Sequence, residues 1–246
     1  MNRRIFLTAL ALTPLYAKDF SKNTKDVYLS YREYQTLKSL NIRLVRLRKF
    51  VGFANFNLIS YKEAIHYGRN YSRIGSFTNI ELSLIEKLFF ESTEQYGFFG
   101  SQTCFNIENK ISTKEVVKIS GTGHYLFKGK AEEDYKKLKK DVGNTLVLTS
   151  GVRNVMKQLN LYCNKLYRNG GNITKASLDI APPAYSYHTI SDFDVGRRGW
   201  GYKNFTADFA STFEFEKMKK LDYISMRYNK SNNDGVRFEP WHVEII

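Results

Sequence analysis

Two short stretches in the C-terminal half decide the fold: Ser186-Tyr-His188-Thr-Ile-Ser-Asp192-Phe-Asp194-Val-Gly196 and Glu239-Pro-Trp-His242. Each stretch places an imidazole a few residues from a carboxylate, in a chain that has only 4 histidines. Residues three apart in a regular strand face opposite ways, so Glu239 and His242 can meet only if the chain bends between them. Pro240 predicts such a bend, because proline interrupts a strand.

The two stretches together contain the donors that a catalytic metal needs. A catalytic zinc ion takes three protein ligands, from imidazole nitrogens and carboxylate oxygens, and keeps one position open for water or substrate. His188, Asp194 and His242 can supply this set. Glu239 would then be the general base that takes a proton from the attacking water.

Three motifs resemble a known family in kind and in order. Thr149-Ser-Gly-Val-Arg153, Ser186-Tyr-His188 followed by Asp194, and Glu239-Pro-Trp-His242 are similar to segments of the VanY-type zinc D-alanyl-D-alanine carboxypeptidases, which belong to peptidase family M15. The resemblance covers roughly 116–246. It implies an α+β catalytic domain with the D,D-peptidase/hedgehog-like fold, in which helices flank a small antiparallel sheet.

The resemblance also implies a role for each motif residue. Zn²⁺ would be held by His188, Asp194 and His242, and Glu239 would be the base. Arg153 would bind the C-terminal carboxylate of the substrate or polarise the scissile carbonyl, because its planar guanidinium forms two parallel hydrogen bonds.

Two details of the second motif complete the site prediction. Ser186 is expected to be a hydrogen-bond partner near His188 that contacts substrate. The family places six residues between the first histidine and the aspartate, whereas this chain has five. Asp192 is therefore an alternative ligand to Asp194, and we favour Asp194 because its separation from His188 is closer to that of the family.

The secondary structure predicted around these motifs is mixed. Short strands are expected at Val116–Ile119 and Thr145–Thr149, and helical spacing of apolar residues follows from Val155 to Leu166. A capping box at Ser211–Glu214 predicts a short helix, and the chain should close with a hairpin of strands within 223–228 and 237–246. Strands and helices that do not alternate regularly indicate the α+β class.

The N-terminal half divides into two predicted segments. Residues 1–17 carry Arg3-Arg4 before a short apolar run, which is typical of a secretory signal peptide and of the twin-arginine type in particular. Residues 18–115 are expected to form a mainly helical extension. Its clearest element is a helix over 78–92, where Thr78 and Glu81 form a capping box. The catalytic domain is then 116–246.

Composition limits the compartment and the partners. The 246 residues carry 38 Lys and Arg against 24 Asp and Glu, a net charge of +14, and no apolar stretch beyond the N-terminus could span a membrane. In an exported protein this charge favours a polyanionic partner such as peptidoglycan; no nucleic-acid-binding module is present. Two cysteines, Cys104 and Cys163, exclude a disulfide scaffold, and the sequence leaves their pairing open.

The sequence therefore predicts an exported zinc D,D-carboxypeptidase of the periplasm or cell envelope. It would remove the terminal D-alanine from peptidoglycan stem peptides. L,D-carboxypeptidase activity, D,D-endopeptidase activity and a non-catalytic envelope-binding role stay open as alternatives. The role of the extension, the oligomeric state and the signal cleavage site are not fixed by the sequence.

Overall fold

The computed structural model describes residues 26–245. The predicted signal segment at 1–17 lies outside the described residues. Within them, helices and two small antiparallel sheets are mixed along the chain, which confirms the predicted α+β class.

Three helices open the described chain, and each begins with a capping box. They are α1 (Tyr31–Val51), α2 (Tyr61–Asn70) and α3 (Asn79–Phe90). In each box the N-cap side chain accepts a hydrogen bond from the N3 amide while the N3 glutamate accepts one from the N-cap amide. The pairs are Ser30 with Glu33, Ser60 with Glu63 and Thr78 with Glu81. The predicted Thr78 box is confirmed.

A hairpin and a charged helix follow the helical extension. β1 (Val116–Ile119) has the predicted bounds and pairs antiparallel with β2 (His124–Phe127). α4 (Lys130–Val142) then runs to β3 (Leu146–Ser150).

The main sheet is antiparallel and has the order β3-β4-β6-β5, with β4 at Phe193–Arg197, β5 at Ser225–Met226 and β6 at His242–Glu244. The expected closing hairpin is present in β5 and β6, although both strands are shorter than predicted. β4 crosses the centre of the sheet and touches both β3 and β6. The site described below is built on these three strands.

The remaining helices are α5 (Val155–Arg168), α6 (Ile173–Ser177) and α7 (Phe213–Met218). The capping box predicted at Ser211 and Glu214 is wrong by one residue. Thr212 is the N-cap of α7, and its side chain accepts from the Phe215 amide. The N3 residue is therefore Phe215. A capping box needs a glutamate or glutamine at N3 to accept from the N-cap amide, so this second bond cannot form.

One hydrophobic core joins the extension to the C-terminal half. Leu40 and Leu44 of α1, Phe56 of the following turn, and Leu159 and Tyr162 of α5 are all fully buried in the same cluster. A second cluster fills the space between α4 and the main sheet. The division at 115/116 stays a prediction, but the first core crosses it, so α5 is packed by the extension.

Two further findings concern the chain as a whole. None of the helices within 26–245 is long and apolar enough to cross a membrane. Cys104 and Cys163 are both buried, and neither forms a disulfide.

Candidate metal centre

Strand pairing brings together two of the predicted ligands. Asp194 on β4 is the register partner of His242 on β6, and on its other side it is the partner of Ser150 on β3. Directly opposed residues of antiparallel strands have their Cβ atoms ~5 Å apart. The sheet therefore holds the carboxylate and the imidazole side by side although 48 positions separate them in the sequence.

His188 reaches the same point from a short 3₁₀ turn, Tyr187–Thr189, just before β4. Its Nδ1 donates to the Gly151 carbonyl at 2.9 Å, which fixes the tautomer and leaves Nε2 free of a proton. Burial, followed by the charge of Arg153, lowers the pKa of His188 to about 4. The ring is neutral at physiological pH, as a metal ligand must be.

The donor atoms of the three residues form a compact triad. Asp194 Oδ1 lies 3.3 Å from His188 Nε2 and 3.2 Å from His242 Nδ1. The three chosen ligand atoms lie within 4.8 Å of one another, and all three residues are buried. Tetrahedral bonds of ~2.0 Å place ligand atoms ~3.3 Å apart, so the triad has the dimensions of a metal site.

Two of these atoms have no hydrogen-bond partner among the described residues. They are His188 Nε2 and Asp194 Oδ1, both fully shielded from solvent. A buried polar atom without a partner is unfavourable, so such atoms indicate a missing ligand or ion. The donor set and its unsatisfied atoms fit a divalent cation.

Asp192, the alternative ligand, occupies a different position. It accepts a hydrogen bond from His242 Nε2 at 3.0 Å, on the side of the ring away from the triad. Arg227 Nε donates to the same Asp192 oxygen at 2.6 Å. A carboxylate that holds the second nitrogen of a ligating histidine orients the ring and raises its basicity. Asp192 therefore supports His242 and lies outside the triad.

The charges around the triad set its protonation. Burial alone would lower the pKa of His242, but its hydrogen bond to Asp192 and the nearby negative charge of Asp194 raise the pKa to about 9. Burial alone would raise the pKa of Asp194, but the charges of His188 and Arg153 hold it well below the usual value. A metal ion bound at His242 Nδ1 would take the place of a proton on that nitrogen, because a ligating imidazole must be deprotonated at the ligand atom.

Arg153 lies beside the triad. Its guanidinium forms a salt bridge with Asp194 Oδ2, and its Nε donates to Ser150 Oγ at 2.8 Å. Asp194 thus uses one oxygen for Arg153 and presents the other to the two histidines. Arg153 also lines the adjoining cavity, where the sequence placed it in contact with substrate.

Glu239 sits at the bend that Pro240 predicts. The His242 amide donates to the Glu239 carbonyl at 3.1 Å, which closes a tight turn immediately before β6. The turn brings Glu239 Oε2 to 3.9 Å from His242 Nδ1. Burial raises the pKa of the Glu239 carboxyl to about 8. A nearby divalent cation would act in the opposite direction.

The triad opens into a cavity of about 500 Å³. Ser186, Arg153, Glu239 and His124 line it. Residues from the extension also line it, namely Val45, Arg48 and Phe53. His66, in contrast, lies on α2, where the Asn70 side chain donates to its backbone carbonyl at 2.8 Å. The cavity therefore has walls from both halves of the chain.

Sequence reasoning missed several residues of this neighbourhood. Arg227, which pairs with Asp192 and with Glu244, carries no local motif. Tyr228 places its ring 4.7 Å from that of His242, and Gln158 accepts from Arg153 at 3.4 Å. Lys157 lines the cavity next to Gln158. In the sequence, Lys157 and Gln158 stand between the apolar positions of α5. Polar residues at such positions are equally typical of a helix face in solvent and of a cavity wall, so the pattern alone could not identify them as cavity residues.

A buried triad of two histidines and an aspartate, with a glutamate beside it on the wall of one cavity, has the parts of a metallohydrolase site. Residues 126–246 match the family model of VanY, described as D-alanyl-D-alanine carboxypeptidase. The C-terminal half of the chain therefore belongs to the VanY family, as the sequence motifs predicted, and the protein is an enzyme, a peptidase. The extension lies outside the matched residues.

Solved structures also match part of the chain. One is the vancomycin resistance D,D-pentapeptidase VanY from a VanB-type resistance cassette, in complex with Zn(II), with 17% identity, a TM-score of 0.46, and coverage of 61% of this chain and 88% of that chain. VanYB in complex with D-alanine-D-alanine has 17% identity, a TM-score of 0.45, and coverage of 61% and 86%. The D,D-dipeptidase VanXYg, in complex with a D-Ala-D-Ala phosphinate analogue, has 18% identity, a TM-score of 0.44, and coverage of 55% and 60%. No curated protein sequence matches the chain.

Proposed function

We propose that the protein is an exported zinc D,D-carboxypeptidase that hydrolyses the terminal D-Ala-D-Ala bond of peptidoglycan stem peptides. The observation that carries the proposal is the triad of His188, Asp194 and His242, with two unpartnered buried atoms, in a domain of the VanY family. Glu239 beside it supplies the acid–base group that hydrolysis requires.

Zinc is the metal that the donor set favours. Two imidazole nitrogens and one carboxylate oxygen are the ligands of many catalytic zinc sites, which keep a fourth position open. His188 Nε2, Asp194 Oδ1 and His242 Nδ1 would hold the ion. When bound, the ion supplies a Lewis acid that polarises the scissile carbonyl and makes water a better nucleophile.

Glu239 is the proposed general base. Its carboxylate lies 3.9 Å from the ligand atom His242 Nδ1 and lines the cavity, so a water bound beside the triad would be within its reach. It would accept the proton of the attacking water and return it to the leaving amine of D-alanine. Its buried surroundings keep bulk water from competing for that proton.

Arg153 and Ser186 are the proposed substrate contacts. Arg153 orients Asp194 and borders the cavity, so its guanidinium can also donate to the terminal carboxylate or to the scissile carbonyl. Ser186 is buried on the cavity wall next to His188. Recognition of a free carboxylate at this end would restrict the enzyme to the last peptide bond.

Export to the periplasm or cell envelope completes the proposal. It is supported by the N-terminal Arg3-Arg4 and apolar run and by the net positive charge, which stays large once Arg3 and Arg4 are removed with the signal and suits a polyanionic wall. Peptidoglycan lies outside the cytoplasm, so a stem-peptide hydrolase must be exported to meet it.

The test uses defined muropeptides with a pentapeptide or a tetrapeptide stem. Zinc-loaded protein should release one alanine from the pentapeptide, and both a chelator and Glu239→Gln should abolish the release. Glu133→Gln, at an exposed position in the first turn of α4, is the matched control and should retain activity. Cleavage of the tetrapeptide alone would replace the proposal by L,D specificity. Absence of turnover with zinc bound would refute hydrolysis.

A further inference from the structure

A buried lysine without an acidic partner lies on the wall of the cavity. Lys157 of α5 is 6% exposed and lines the cavity, yet within 26–245 its ammonium forms no hydrogen bond or ion pair. Its Nζ lies 5.1 Å from the centroid of the Phe53 ring. Burying an unpaired ammonium is strongly unfavourable, so a stable fold retains one only where another group offsets that penalty.

The charges near Lys157 increase the penalty. Burial, followed by the positive charges of Arg153 and Arg48, lowers the pKa of Lys157 to about 8. Arg48 projects from α1 to line the cavity and has no ion pair among the described residues. Three acids line the same cavity, Asp179, Asp194 and Glu239, but none of them forms an ion pair with Lys157 or Arg48. Lys157 and Arg48 thus give the cavity wall positive charge that no described carboxylate pairs with.

The extension fixes this arrangement in place. Phe53 packs so tightly on the turn before β2 that a Cβ added at Gly123 would lie 2.9 Å from its ring. The Asn57 side chain donates to the Gly123 carbonyl at 3.2 Å, and the Asn154 side chain donates to the Leu58 carbonyl at 3.0 Å. The first bond joins the segment after α1 to the turn before β2, and the second joins it to the start of α5. Arg48 and Phe53 therefore line the same cavity as the triad on a segment that is hydrogen-bonded to the catalytic half.

We propose that Lys157 and Arg48, covered by Phe53, form an anion subsite that binds a carboxylate of the peptide substrate. The inference rests on the proposed peptidase function, because a peptide reaching the triad offers anionic groups only as carboxylates. Two carboxylates could fill the subsite, the C-terminal one or a side-chain carboxylate upstream of the scissile bond. In either case, the extension contributes directly to substrate selection.

The test compares two synthetic pentapeptides that end in D-Ala-D-Ala and differ only by a glutamate or glutamine upstream. For zinc-loaded Lys157→Met we expect KM to rise about tenfold or more with little change in kcat, and for Lys157→Arg we expect most of the affinity to return. A rise in KM with the glutamate peptide alone assigns the side-chain carboxylate. An equal rise with both peptides assigns the terminal carboxylate. An unchanged KM with both overturns the subsite.

Controls separate a lost subsite from a damaged fold. Lys140→Met, at an exposed position of α4, removes the same charge and should leave both KM values unchanged. Melting temperature and zinc content are measured for each variant. If the fold is damaged, both values should be lower for Lys157→Met than for the wild type, and Lys157→Arg should not restore them.

Calorimetric binding of both peptides to the Glu239→Gln variant, with and without Lys157→Met, needs no turnover. Lys157-dependent binding without hydrolysis by the wild type would sustain the subsite and refute the peptidase function. Hydrolysis by the wild type, together with binding that does not depend on Lys157, would support the peptidase function and refute the subsite.

Discussion

The contact between Asp192 and His242 gives the sharpest test of how the site is built. We expect Asp192→Asn to weaken zinc binding ~10–100-fold, the usual effect of losing an outer-shell partner of a ligand. That range corresponds to ~1.4–2.8 kcal/mol of binding free energy. The substitution conserves shape, so any effect comes from the charge and from the exchange of an acceptor for a donor.

The hydrogen bonds show why asparagine cannot substitute. Asp192 Oδ2 accepts from His242 Nε2 at 3.0 Å and from Arg227 Nε at 2.6 Å. Its Oδ1 accepts from Arg227 Nη2 at 3.3 Å and from the Ile245 amide at 3.1 Å. An amide nitrogen at either position would face donors. At least one buried donor is then left without an acceptor, which costs ~1–3 kcal/mol in the free energy of unfolding.

The assay is competition for zinc against a chelator of known affinity, combined with urea unfolding of the metal-free protein. Asp222→Asn, at an exposed position with no hydrogen bond or ion pair among the described residues, is the matched control. Stability should fall without zinc, and affinity should fall in addition. Zinc affinity within twofold of the wild type, in a variant that has lost stability, would show that Asp192 does not act through His242.

Three further predictions concern the metal, a helix cap and a buried charge. Zinc at 100 times its dissociation constant should raise the unfolding free energy of the wild type by ~2.7 kcal/mol and that of His188→Asn by far less, measured by urea unfolding; equal gains would place the ion elsewhere. Thr78→Ala removes the oxygen that accepts from the Glu81 amide at 3.3 Å and should lower the unfolding free energy by ~1 kcal/mol, whereas Thr78→Ser should not. Burial lowers the pKa of Lys157 to about 8, below its unfolded value of ~10.4, so the unfolded chain binds more protons between these pH values. Stability relative to Lys157→Met should therefore rise from pH 8 to 10.5, by at most ~3 kcal/mol, and a flat difference would contradict the shift.

Local signals in the sequence were sufficient for some elements and not for others. The Thr78 box and the apolar stripe after it predicted α3, and β1 was predicted with its observed bounds. The same kind of capping box, at Ser60 and Glu63, begins α2. This helix was not predicted, although the sequence contains the signal for its first residue. β4 was also missed, because Phe193–Arg197 is short and contains a glycine, and its strand character comes from pairing with β3 and β6.

The site shows the same division between local and long-range information. The motifs placed His188, Asp194, His242 and Glu239 in one neighbourhood, and the structure brings all four together. The position of Asp192 on the outer nitrogen of His242 could not be inferred, because it depends on which face β6 presents to β4. The burial of Lys157 in the cavity wall could not be predicted either, because it depends on packing against Phe53, which is more than a hundred residues away in the sequence.

The register of β4 against β6 is what turns these distant residues into one site. Phe193 pairs with Val243, and both are fully buried in the core beneath the sheet. Because side chains alternate along a strand, the apolar pair fixes which face each next residue takes, and Asp194 is thereby set opposite His242. A slip of one residue would turn Asp194 into the core and expose Phe193, at a cost of several kcal/mol. The hydrophobic core thus specifies the geometry of the polar triad, which explains how two histidines and an aspartate can be held in place even while two of their atoms lack partners.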